Sequence, residues 1–153
     1  MSSKYLNLAD TTTYQAGVVQ SAAFRSLKKF TDGCLREYGL TTMQWFILGT
    51  IYDSGDEGIR ISDLSRSVDT NLPYITNTLN LLESQGAVER VESSKDGRSK
   101  RVRITYSYRP QCDIIEAALR QKMRSGIYSR IDPDQLRSYL YVLHQFTTLD
   151  KDL

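Results

Sequence analysis

Between positions 90 and 103 the chain sets six basic side chains (Arg90, Lys95, Arg98, Lys100, Arg101, Arg103) against two acids (Glu92, Asp96), a local excess of four positive charges. The remaining residues hold 14 basic and 16 acidic side chains, so the formal net charge of +2 conceals one basic stretch on a mildly acidic body. Such a patch attracts polyanions, although an isolated charge run is also common in plain solvated loops. A second group lies just upstream. If Ile75, Leu79 and Leu82 form the inward stripe of a helix, a turn of about 100° per residue places Pro73, Asn77, Asn80 and Ser84 outward, flanked by Tyr74 and Thr76. The centre of that face holds no Lys, Arg, Asp or Glu. Short amides and hydroxyls can read base edges in a DNA major groove, where asparagine pairs bidentately with adenine. The same residue types are also ordinary on a solvent-facing helix.

Other chemistry finds little support. The single histidine, His144, lies near an apolar stripe, and zinc needs three or four ligands that its neighbourhood does not supply. There is no Gly-rich phosphate loop, no Ser-His-Asp set and no Cys-x-x-Cys, so neither catalysis, a metal nor a cofactor is expected. Cys34 and Cys112 are far apart in sequence and do not make a disulfide framework. Arg36 and Arg109 lie near them in sequence and would lower their thiol pKa if also near in space, but the expected role is that of small buried hydrophobes. No stretch approaches the roughly 20 apolar residues that span a bilayer, and the first five residues, Met1 to Tyr5, lack a signal-like apolar core. A cytoplasmic protein without membrane contact is expected.

The elements that must position the two polar groups can be read from periodicity and punctuation. Val19, Ala23, Leu27 and Phe30 mark one long amphipathic helix over about 11–38, stopped at Gly39. Thr41 and Gln44 form a capping box for a second helix, with Leu40 and Trp45 placed as its hydrophobic staple, running to the Gly/Asp-rich 53–58. Ile61, Leu64 and Val68 mark a short third helix. Asn71 then caps a fourth with Pro73 in its first turn, ending at Gln85 and Gly86. Residues 87–91 and 101–105 read as strands joined through Asp96-Gly97, a hairpin with a basic tip. Helix resumes near Pro110, defined by Ile114, Ala118 and Leu119. The last helix starts on Asp132-Pro133 and carries a stripe of Leu136, Leu140 and Leu143.

A short helix, a tight turn, a polar-faced helix and a basic hairpin within about fifty residues resemble a winged helix-turn-helix. More specifically, the chain resembles the MarR family of transcriptional regulators. The resemblance rests on Leu40-Thr41-Thr42-Met43-Gln44-Trp45, on Ile75-Thr76-Asn77-Thr78-Leu79 with Leu82-Glu83 and Gly86-Ala87-Val88-Glu89-Arg90, and above all on Asp96-Gly97-Arg98-Ser99 followed by Val102-Arg103-Ile104-Thr105. It departs from the family pattern at 104–110, which has no glycine, and at Pro73 in the recognition helix.

The resemblance implies a mainly α fold with a small β-hairpin wing: a single domain over 1–153, with a winged helix-turn-helix lobe at 40–106 and helical dimerisation regions at 8–38 and 107–153. It implies a homodimer that binds double-stranded DNA at a pseudo-palindrome, represses transcription and answers to a small effector, often aromatic in the family. The effector and its lining residues are not named by the sequence. Expected DNA contacts are Thr70, Asn71, Pro73, Tyr74, Thr76, Asn77 and Asn80 from the turn and recognition helix, and Lys95, Asp96, Arg98, Lys100 and Arg101 from the wing. In the family the wing arginine, here Arg98, enters the minor groove and the aspartate two residues earlier, here Asp96, holds it; an Asp-Gly pair also simply makes turns. The competing expectation is a winged helix used only for protein-protein assembly, which has little reason to concentrate positive charge at the hairpin.

Overall fold

The computed structural model describes residues 9–92 and 100–149, which fall into two units, one reaching to Arg109 and one beginning at Pro110. In the first unit most helices start where a side chain can take up an orphan first-turn N–H. Thr12 and Gln15 cap α1 (Thr13–Leu35) reciprocally. Thr41 and Gln44 do the same for α2 (Thr42–Asp53), at 3.2 and 2.9 Å. After the short α3 (Ile61–Ser67), α4 (Leu72–Ser84) begins on Asn71, whose Oδ1 accepts the Tyr74 N–H at 2.9 Å. Pro73 sits in that first turn, where its missing N–H has no helical partner to lose.

Three strands, β1 (Ile59–Arg60), β2 (Val88–Glu92) and β3 (Lys100–Ile104), form an antiparallel sheet in the order β1-β3-β2. Arg90 lies opposite Val102, and Ile59 pairs with Val102 from the other side. The expected hairpin is present; β1 was not expected, since two residues carry no readable period. The hairpin tip, 93–99, lies outside the described residues. Leu35, Ile47, Leu48, Ile51, Leu64, Ile75, Leu79, Leu82 and Val102 are fully buried and make the core of this unit. Each such side chain contributes about 1.5–3 kcal/mol on burial, which selects the face of α4 that turns inward. Helices α3 and α4, their tight turn and the hairpin that follows make a winged helix-turn-helix.

Asp32 fastens α1 to α2. Its Oδ1 accepts the backbone N–H of Thr42 at 2.8 Å and the Thr42 hydroxyl at 2.7 Å, while Oδ2 takes Lys28 Nζ at 2.6 Å. The Lys28 hydrogen bond, followed by those from Thr42, lowers the carboxyl from 3.8 to about 2. A folded-state pKa below the unfolded one adds stability that is complete above pH ~4 and lost as pH falls through ~2. Asp32→Asn should therefore be less stable than the parent at pH 7, with the gap closing toward pH 2, as read by denaturant titrations along that range. A gap independent of pH would show that the ionised carboxylate is not what joins the helices.

The second unit holds α5 (Arg109–Gly126) from its second residue on, a 3-10 turn (Tyr128–Arg130) and α6 (Pro133–Leu149). Asp132 caps α6 by accepting the N–H groups of Asp134 and Gln135 at 3.0 and 3.1 Å. On α5 the buried residues are Cys112, Ile115 and Leu119, while Ile114, expected inward, is exposed. Leu119 is buried and Ala118 half-buried as expected, so the inward stripe runs through Ile115, four residues before Leu119, with Ile114 at its edge. The expected stripe of α6 exists but is uncovered: Leu136 is half-buried, Leu140 and Leu143 are exposed, and no residue of the helix is buried. The α1 stripe is similar, with Val19, Leu27 and Phe30 half-buried and Ala23 exposed.

Candidate nucleic-acid interface

The turn between α3 and α4 sets the attitude of α4. Val68 N donates to Leu64 O at 3.1 Å, and Asp69 adopts a φ of 50°, a left-handed conformation that aspartate tolerates better than most residues. Thr70 N donates to Ser65 O at 3.1 Å, and the buried Ser65 hydroxyl returns a bond to Thr70 O. Thr70 is thereby engaged through its backbone, and Asn71 through its side chain as the cap.

From that start, Ile75, Thr78, Leu79 and Leu82 turn inward, and Pro73, Tyr74, Thr76, Asn77 and Asn80 are exposed. The side chains of Thr76 and Asn77 make no hydrogen bond among the described residues, so their donors and acceptors are open to a ligand. Asn80 differs. Its Oδ1 accepts Arg90 Nη2 at 2.7 Å, and Arg90 Nη1 pairs with Glu83.

The hairpin base carries less free charge than the sequence count suggests. Arg90 is paired as described, and Arg103 Nε donates to Glu89 Oε1 at 2.9 Å, a bond that raises the guanidinium above its ordinary value. Arg101, an expected DNA contact, is half-buried and donates from Nη1 to Gly58 O at 2.9 Å, just before β1; its Nε is buried with no partner among the described residues. Arg109 joins Asp56 Oδ1 at 2.8 Å and lies over the rings of Tyr52 and Tyr106, at 5.6 and 5.9 Å. Lys100 is exposed at the start of β3. Lys95, Asp96 and Arg98 lie outside the described residues.

A model of the MarR family matches residues 38–99, a stretch that takes in α2, α3, α4 and β2. Among curated relatives, the HTH-type transcriptional regulator BilQ of Clostridioides difficile (strain CD3) is 27% identical over 81 residues, a stretch covering 53% of this chain and 53% of that protein. Among solved structures, a cysteine mutant of MarR from E. coli complexed with operator DNA superposes with a TM-score of 0.74 at 18% identity, over 89% of this chain and 99% of that one. CouR from Rhodococcus jostii RHA1, bound to p-coumaroyl-CoA, gives 0.76 at 18% identity, over 89% and 93%. Over residues 38–99 the chain is similar to the MarR family, and it shares the fold of these solved regulators.

Within this MarR-like fold, the structure gathers Pro73, Tyr74, Thr76, Asn77 and Asn80 on one exposed face of α4. Arg101 also bonds Gly58 O, and Asn71 caps α4. Sequence reasoning missed the contacts of Arg90 and Arg103, because their acceptors come from α4 (Glu83), from β2 (Glu89) and from the backbone carbonyl of Asp56 in the 3-10 turn before β1. One signal was available: Glu89 and Arg103 fall opposite each other once the two strands are paired in register.

Proposed function

We propose that the chain is a sequence-specific DNA-binding transcriptional regulator, a homodimeric repressor that leaves a pseudo-palindromic operator when a small, aromatic effector binds. The observation that carries this reading is the exposed, uncharged polar face of α4, with Thr76 and Asn77 unengaged among the described residues. Amides and hydroxyls in that setting suit base edges in the major groove. The hairpin beside it, with Lys100 exposed and Lys95 and Arg98 in the tip sequence, supplies cations for phosphates and the minor groove. Operator DNA in the MarR complex supports the polyanion, and the coumaroyl-CoA of CouR supports an aromatic effector.

Dimerisation is supported by apolar surface that a single chain leaves in water. On α1, Tyr14 is 69% and Phe24 64% exposed, and on α6 Leu140 is 54% exposed, with Tyr141 and Phe146 beside it in sequence and also exposed. Exposed apolar surface on this scale marks an interface.

Enrichment from a random duplex pool tests the reading. The expected result is an inverted repeat whose half-sites lie about one helical turn apart, bound by a species that sediments as a dimer at micromolar concentration. A pool that stays random after repeated rounds would reject the function, and a fully helical monomer under those conditions would reject the dimer.

A further inference from the structure

Asn80 belongs to the outward face of α4 but, unlike Asn77, it is not free to turn. Its Oδ1 accepts Arg90 Nη2 at 2.7 Å. A guanidinium only donates, so this contact settles which end of the amide faces the wing: the oxygen points to Arg90 and the NH2 away from it. The same guanidinium holds Glu83, one turn along α4, through Nη1, and is only 31% exposed. A planar fork held at two points cannot rotate as a single ammonium could.

The frame around this contact is equally fixed. At the end of α4, Gly86 N donates to Glu83 O at 3.0 Å and Ala87 N to Leu82 O at 2.9 Å, closing the helix with Gly86 at a φ of 72°. The chain then enters β2 directly, where Val88 pairs with Ile104 and Arg90 with Val102. Arg90 is thereby delivered to the α4 side of the hairpin by a junction with little freedom.

We propose that Arg90 is a positioning residue for sequence reading: it orients the Asn80 amide so that Asn80 presents a donor to the base it meets. This rests on the DNA-binding reading above and specifies one position of the site. In the major groove guanine, adenine and thymine each offer an acceptor, whereas cytosine offers only its N4 donor. An Asn80 held by Arg90 therefore disfavours cytosine. Released from Arg90, the amide can flip, and its oxygen then accepts from cytosine N4.

The test compares base preferences of the full chain, selected from a random duplex pool, with those of Arg90→Met, Arg90→Lys and Asn80→Ala. The parent is expected to deplete cytosine by about fivefold or more at one position of each half-site. Arg90→Met should remove that depletion and leave the other positions unchanged. Asn80→Ala should alter the same position, and the double variant should match Asn80→Ala alone. Arg90→Lys keeps the charge and the aliphatic stem but not the two-point fork, and should relax the same position even if the methionine variant folds poorly. Unchanged preferences in Arg90→Lys, or an even loss of affinity over all sequences, would make Arg90 merely structural and overturn the proposal. A parent that enriches no sequence would instead remove the DNA-binding reading, and this proposal with it.

Discussion

Gly58→Ala is expected to lower folding stability by about 3 kcal/mol, a large share of the 5–15 kcal/mol typical of a domain. Gly58 is buried with φ 68° and ψ 176°, a backbone conformation essentially reserved for glycine. A Cβ there would lie 2.5 Å from the carbonyl oxygen of Val102 and 3.0 Å from its carbon. Neither atom can move aside, because Val102 is paired with Ile59 on one flank and Arg90 on the other. Relief would require opening β1 from β3, which would also release Arg101 from Gly58 O. Gly86→Ala is the control. Its φ of 72° is also left-handed, but a Cβ would meet nothing within 4 Å, so its cost should stay near 1–2 kcal/mol. Denaturant midpoints of the two variants decide the matter: Gly58→Ala no worse than Gly86→Ala would mean that β1 yields easily and does not brace the wing.

Asn77→Ala is expected to reduce affinity for the preferred duplex by about 1–3 kcal/mol while leaving random-sequence binding nearly intact. Asn77 is exposed at mid-helix, and alanine is the better helix former, so stability should not fall and the loss cannot be attributed to unfolding. Thr76→Ala should act in the same direction. Lys100→Ala should differ in kind, weakening all sequences alike and flattening the salt dependence by about one unit. If Asn77→Ala and Thr76→Ala both bind preferred and random duplexes as the parent does, α4 does not read the bases.

The parts of the fold legible from sequence were those set by neighbours within a few residues. The Thr41–Gln44 capping box, the Asn71 cap and the Asp132 cap are all contacts across three positions, and each formed as its residue types required. The inward stripe of α4 was equally local, since 3.6-residue periodicity alone assigns Ile75, Leu79 and Leu82 to one side and Asn77 to the other. What could not be read depended on distant partners. β1 is a strand only because β3, some forty residues later, lies beside it. The basic stretch at 90–103 counted as a charge excess along the chain, yet Arg90, Arg101 and Arg103 each meet acceptors brought in from elsewhere by the fold. Linear charge counts overstate a field when folding supplies the counter-charges. The stripes of α1 and α6 were legible as amphipathic, but periodicity does not say whether a covering surface comes from the same chain.

The most direct test of the central claim is an equilibrium titration of the parent against its enriched duplex and a scrambled duplex of equal length and composition, between 50 and 200 mM salt, a range over which about six to ten phosphate contacts would cost 10³–10⁵ in affinity. The account predicts that the enriched duplex binds at least about 1,000-fold tighter than the scrambled one at physiological salt, with both affinities falling as salt rises. Equal affinities for the two duplexes at every salt concentration would contradict it.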